Sequence, residues 1–169
     1  IRTPAQAEDI KAMIMPNRLG ADDPIYTTFT KRSVYLPVVR NIIPDVIALN
    51  NDVPVRTYAE LGEWVNKQPQ KVRFATSGIG NQPHLWMEMF KTRNKLNMEV
   101  VAYKGAADAI RDVLAGHVPM ICDVVLPTGN HVKAGRMKGL VVASPERSTV
   151  CPDVPTVVEL GMPDMVSAV

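Results

Sequence analysis

Val72-Arg73-Phe74-Ala75-Thr76-Ser77-Gly78-Ile79-Gly80-Asn81-Gln82-Pro83-His84-Leu85 reads as a short apolar strand, a loop of small polar residues and the opening of a helix. A helix start leaves backbone N–H groups without intrahelical partners, and the helix dipole adds positive potential there. A Gly/Ser-rich loop entering a helix is therefore a ready anion site. Thr76, Ser77 and Asn81 add short side-chain donors at the same place. Gly78 and Gly80 let the backbone turn tightly with its N–H groups uncovered. The stretch has the chemistry of a holder for a carboxylate or another small anion.

Outward from this loop, strands and helices alternate. Upstream, Val46-Ile47-Ala48-Leu49 is a buried strand, and Thr57 with Glu60 three residues on makes a capping box for a helix from Tyr58 to Lys67. That helix carries Leu61, Trp64 and Val65 on one face and stops before Pro69. Downstream, the helix from about Pro83 to Arg93 shows a broad apolar face of Leu85, Trp86, Met89 and Phe90, and Met87, Met89 and Met98 read as core filler. A strand at residues 100–103, a helix at 106–115 closed by Gly116, a strand at 118–122, a helix at 128–134 ended by Gly135 and a strand at 139–143 complete the series. This alternation predicts an α/β domain with a mostly parallel sheet and helices on both faces. Residues 1–35 are less legible, with a short amphipathic helix over 4–15 and a turn at 21–24. Residues 34–39, interrupted by Pro37, read as an edge or crossover strand.

Composition narrows the function classes. The 169 residues suit one domain with a proper core. A formal net charge of +2 and 5% aromatic residues argue against a nucleic-acid surface. No apolar run approaches the ~20 residues of a membrane-spanning helix. Cys122 and Cys151 either form one disulfide or are two small buried residues, and no Cys/His spacing suggests a metal site. No cofactor is expected.

In open α/β sheets, ligands sit at the carboxyl ends of the strands. The loops after residues 75, 103 and 122 lie at such ends, which gathers Thr76, Ser77, Gly78, Asn81, Tyr103, Lys104, Gly105 and Asp123 around one ligand position, with Gly80 shaping the first loop. His84, in the first turn of its helix, either bonds the ligand or contacts neighbouring backbone. Lys104 either pairs with an anion or is solvated, and Tyr103 has an amphipathic, half-core and half-rim character.

Three blocks carry a family resemblance. They are Phe74–Leu85, Tyr103-Lys104-Gly105 through Gly116-His117-Val118, and Lys133-Ala134-Gly135-Arg136 through Arg147 and Pro152-Asp153-Val154-Pro155-Thr156-Val157-Val158-Glu159-Leu160-Gly161. In order and in register they resemble the Bug-type solute-binding proteins of tripartite tricarboxylate transporters, over about residues 36–165. The resemblance implies a periplasmic-binding-protein-like lobe in which the Ser77–Gly80 loop binds a carboxylate and Asp123 contacts the ligand or its water. It implies residues 36–169 as the second lobe of such a protein, with 1–35 a divergent segment or a remnant of the first. The implied partners are a small anionic solute and the membrane permease subunits. The implied location is the periplasm; the sequence from Ile1 shows no signal peptide, and a cleaved one would be invisible in it. Ala102 stands where the family usually has Pro before this Tyr. With half of the usual cleft absent from the sequence, a dimer mate or partner is expected to supply the missing wall.

Two other readings stand beside capture. One is a repurposed or truncated lobe that acts as an interaction protein without a ligand. The other is a hydrolase using Ser77, His84 and Asp123, but Ser77 is not in a Gly-x-Ser-x-Gly elbow, since Ala75 and Ile79 occupy the glycine positions. The sequence favours a binding protein over an enzyme.

Overall fold

A computed structural model describes residues 43–167. Among them the order is β1 (Asp45–Asn50), α1 (Tyr58–Lys67), β2 (Val72–Thr76), α2 (Gln82–Arg93), β3 (Met98–Ala102), α3 (Ala106–Leu114), β4 (Met120–Val124), α4 (Val125–Lys133) and β5 (Met137–Val142), followed by a 3-10 turn at Pro163–Met165. The helix expected at 4–15 and the strand expected at 34–39 lie outside the described residues.

The strands form one sheet in the order β3-β2-β4-β1-β5. β2 is parallel to β3 and β4, whereas β1 is antiparallel to both of its neighbours, β4 and β5. Four strands therefore share a direction, as a mostly parallel sheet requires, and β1 alone is reversed. All six β1 residues are buried, and the four between its ends, Val46–Leu49, are apolar, as suits a strand flanked on both edges and covered on both faces. Its reversal places Asp45 opposite Val124 and Val46 opposite Asp123. The start of β1 thus sits at the sheet end where β2, β3 and β4 finish.

Helices cover both faces. Ile47, Leu49, Phe74, Met120 and Cys122 pack against Leu61 and Val65 of α1 and Trp86, Met87 and Phe90 of α2. On the other face Ala48, Ala75 and Ile121 meet Ala109, Ile110 and Val113 of α3, and Val46 and Val142 meet Val125 of α4. Trp86 stacks on Phe90 at 5.2 Å and donates its Nε1–H to the Met165 carbonyl at 2.7 Å, satisfying the one polar atom that its burial would otherwise strand.

Several local expectations are corrected. The buried stripe of α2 is narrower than its composition suggests, with Leu85 and Met89 left 54% and 57% exposed. At about 100° per residue these two fall on the side away from Pro83, Trp86, Met87 and Phe90, so Met89 is not core filler, while Met87 and Met98 are buried. α4 begins at Val125, directly from β4, rather than at Thr128. Of the two readings of the cysteines the second holds: Cys122 and Cys151 are both free and buried, and burial pushes both thiols up.

The caps behave as read. Thr57 Oγ1 accepts from the Glu60 N–H at 3.4 Å, and the Glu60 carboxylate accepts from the Arg56 N–H at 2.8 Å. The block after β5 is held by a second box, in which Thr156 Oγ1 accepts from the Glu159 N–H at 3.1 Å and Glu159 Oε2 from the Thr156 N–H at 2.8 Å. Arg147 Nε spans both Glu159 oxygens at 3.0 and 3.1 Å. These residues of the third motif block work as structure, pinning the segment that follows β5.

Candidate functional site

At one end of the sheet, β2 turns into α2, β3 into α3 and β4 into α4, so three helix starts share that end with the start of β1. The loop between β2 and α2 is fixed by its own side chains. Asn81 is the N-cap of α2, its Oδ1 accepting from the His84 N–H at 3.1 Å while its Nδ2 donates to Ser77 Oγ at 3.0 Å. His84 Nδ1 accepts from the Gly80 N–H at 3.0 Å, so the neutral ring carries its proton on Nε2. Gly80 has φ +78°, a conformation that side chains adopt only under strain. Gly78 needs no such freedom, since a Cβ there would meet only the Asn81 side chain at 3.5 Å.

What this leaves open is a set of donors. Among the described residues, no acceptor takes the N–H of Ser77, Gly78, Ile79 or Gln82. The Ser77 Oγ, already accepting from Asn81, keeps its own proton to give. The first turns of α3 and α4 add to the positive end, and neither has a side-chain cap.

Three buried polar side chains also stand at this end of the sheet. Asp45 and Thr76 are fully buried and Asp123 nearly so. Asp45 Oδ2 accepts from Gln82 Nε2 at 3.2 Å, and Asp123 Oδ1 accepts from the Val124 N–H at 2.7 Å. Among the described residues, Asp45 Oδ1, Asp123 Oδ2 and Thr76 Oγ1 have no hydrogen-bond partner. Burial pushes the Asp45 carboxyl up to about 6; the hydrogen bond from Gln82 and the nearby Ser167 hydroxyl oppose the shift, and the negative charge of Asp123 reinforces it.

The sequence-predicted residues divide accordingly. Thr76, Ser77, Gly78, Gly80, Asn81 and His84 form one constellation, and Asp123 stands at the end of β4, next to β1. His84 serves the loop backbone, the second of its two expected roles. Tyr103 is half-buried, and its hydroxyl donates to Asp112 Oδ2 of α3 at 2.9 Å; burial and then Asp112 push the phenol up. Lys104 is exposed, and Gly105 is the N-cap of α3 in extended backbone. Ser77, His84 and Asp123 do not form a relay, because each is hydrogen-bonded to a different partner: Asn81, Gly80 and Val124. Sequence reasoning missed Asp45 and Gln82. The available signal was an acid placed directly ahead of an apolar strand, Pro44-Asp45-Val46, but only the reversed direction of β1 brings that acid to the loop.

The grooves lined by described residues lie elsewhere. One of about 610 Å³, lined by Gln70, Lys71, Arg73 and Glu99, is at the opposite end of the sheet. Another of about 700 Å³ runs between α3 and α4 past Ile110, Arg111, Pro127 and His131. Among the described residues no group of three His, Cys, Asp or Glu is arranged to hold a metal ion.

Known proteins resemble this chain in sequence and fold. The family model for the tripartite tricarboxylate transporter family receptor, TctC, matches residues 26–169. The protein BugT of Bordetella pertussis is 31% identical over 126 residues, covering 75% of this chain and 39% of that protein. Among solved structures, the periplasmic binding protein BugD is 33% identical with a TM-score of 0.67, over 72% of this chain and 41% of its own. An R. palustris protein solved with adipate is 28% identical with a TM-score of 0.66, over 72% and 40%. The chain thus spans about two fifths of the length of these relatives.

Proposed function

The chain belongs to the tripartite tricarboxylate transporter receptor family, and from that premise we propose that it captures a small carboxylate at the Ser77–Gln82 loop without covalent chemistry. The observation that carries the reading is the set of uncommitted donors at one place: the N–H groups of Ser77, Gly78, Ile79 and Gln82 and the Ser77 hydroxyl. A carboxylate with two oxygens and about four lone-pair sites matches such a set. Charge-assisted bonds to oriented backbone N–H groups are also among the stronger ones.

In this mechanism the loop is built before the ligand arrives. The Asn81–Ser77 and His84–Gly80 bonds hold the donors in place, so little ordering is left to be done on binding. Residues 36–169 act as the second lobe of a two-lobed receptor that works in the periplasm and hands its solute to permease subunits. A second wall, from another lobe or a second copy, closes over the loop, since a pocket normally buries most of its ligand. The adipate bound in the R. palustris relative supports a carboxylate as cargo.

The test is thermal unfolding of the chain with succinate, against sulfate as control. A ligand at a hundred times Kd stabilises the fold by about 2.7 kcal/mol. The Ser77→Ala, Gly78→Pro double variant is expected to lose that shift while still unfolding cooperatively. An undiminished shift in the variant removes the loop from the site.

A further inference from the structure

We infer that capture at the loop is proton-linked: the anion binds together with a proton, and Asp45 is the group that receives it. The inference rests on the carboxylate-capture reading and adds a regulation to it. It stands on one connection. Asp45, two residues before Ile47 on β1, lies on the α2 face of the sheet. There its Oδ2 accepts from Gln82 Nε2 at 3.2 Å. Gln82 is the first residue of α2, and its backbone N–H is one of the uncommitted donors of the loop. One residue therefore offers its N–H to the ligand and its side-chain amide to a buried carboxyl.

Nothing among the described residues balances the charge of that carboxyl. Asp45 is fully buried, takes part in no ion pair there, and keeps Oδ1 without a hydrogen-bond partner. The groups that face it are uncharged or negative. α2 presents Gln82, with the His84 ring turned onto Gly80. β4 presents Cys122, whose thiol burial pushes up, and Asp123 on the far face of the sheet. Past β5, the Ala143 N–H donates to the Asp45 carbonyl at 2.8 Å, and the Ser167 hydroxyl accepts from the Asp45 N–H at 3.2 Å. A carboxyl buried without a cation holds its proton beyond the ordinary range, here up to about 6.

A second anion at the loop acts on this group. Counted along the bonds of Gln82, a ligand oxygen on its N–H is no more than about 12 Å from Asp45 Oδ2. At an effective dielectric of about 20, two unit charges that far apart shift an equilibrium by about tenfold. Because Asp45 is buried, salt screens the pair only in part. The ligand thus raises the proton affinity of Asp45, and binding takes up a proton between about pH 6 and pH 7. Below that window Asp45 is neutral and does not oppose the ligand. Above it the ionised carboxylate does, and affinity is about tenfold lower.

The experiment is calorimetric titration of the full chain and of its Asp45→Asn variant with succinate, at about pH 5 and about pH 8, either side of that window. The variant keeps an oxygen for Gln82 and cannot ionise. Titration of succinate itself is common to both chains and cancels in the ratio of their dissociation constants. The parent is expected to match the variant within about twofold at the lower pH and to bind about tenfold more weakly at the higher. Midway, titrations in MES and in imidazole read proton uptake from the heat of buffer ionisation. There the parent is expected to take up about half a proton more than the variant. An Asp45 that merely supports the fold changes affinity alike at both pH values. An unchanged ratio, in a variant shown folded by its cooperative unfolding, overturns the inference and leaves carboxylate capture standing. So does the absence of net proton uptake by the parent, a result that needs no variant. Succinate that binds the parent at neither pH overturns the capture reading and the inference together.

Discussion

β1 carries a buried polar residue at each end, and the two are treated in opposite ways. Asn50 closes the end away from the loop: its Nδ2 donates to the Val113 carbonyl at 2.8 Å and the Leu114 carbonyl at 3.4 Å, and its Oδ1 accepts from the Asp52 N–H at 2.7 Å. It thereby caps the last carbonyls of α3 from a neighbouring strand, beside the Gly116 N–H that also reaches the Val113 carbonyl at 3.1 Å. Asp45, five residues earlier on the same strand, has one bonded oxygen and one orphan. The closed end follows the rule for a stable interior, in which buried polar groups find partners. The open end breaks that rule beside the donor-rich loop, where a fold is expected to give up stability for function.

Breaking the closed end gives the largest expected effect. Asn50→Ala removes the three side-chain bonds to the Val113 and Leu114 carbonyls and from the Asp52 N–H, which at about 1 kcal/mol each should cost roughly 3 kcal/mol. A fall in the urea midpoint with an unchanged slope would show it. A loss under about 1 kcal/mol would mean that water replaces the asparagine readily and that this end is less closed than its hydrogen bonds imply.

The opposite sign is expected at the open end. The Asp45 carboxyl lies near 6 in the folded chain against an ordinary value of 3.8. The folded chain therefore holds this proton more tightly than the unfolded one, and folding takes up a proton between about pH 4 and 6. Stability should fall as pH rises through that window and stay lowered above it. Asp45→Asn removes the charge and should raise stability at pH 7 by roughly 2–3 kcal/mol, while flattening this part of the pH profile. Unfolding curves of both chains from pH 4 to 7.5 decide it, and a variant less stable than the parent at pH 7 would mean that the ionised carboxylate has a partner.

The same contrast explains what the sequence disclosed and what it withheld. The β2–α2 loop was legible because every signal in it is local: Gly80 for a left-handed turn, Asn81 for the cap, and Ser77 four residues before it within reach of its amide. α1 was legible from Thr57 and Glu60 for the same reason. Asp45 was not, because its place in the site depends on the direction of β1, and a strand buried on both faces carries no alternation that would reveal direction or partner. Tyr103 misled for the converse reason. Its position after β3 points at the ligand end, yet its hydroxyl meets Asp112, a pairing set by the first two turns of α3. Leu85 and Met89 read as core by type, but only the packed face of α2 decides which apolar residues are covered.

The smallest expected effect is the sharpest on the site. Thr76 is fully buried and, among the described residues, its Oγ1 has no partner, so its hydroxyl gives them nothing that a methyl would not. Thr76→Val keeps the shape, keeps the β-branch that suits a strand and avoids desolvating an unused hydroxyl, so it should stabilise by about 1 kcal/mol. If the Thr76 hydroxyl serves the captured carboxylate, the same change should weaken succinate binding severalfold, because one donor is gone. The two readouts are expected to move in opposite directions, stability up and affinity down. A merely structural threonine would move both down, and one facing an unused gap would leave affinity alone. Measured together on one variant, they separate an interior that is imperfect from one that is waiting for a partner.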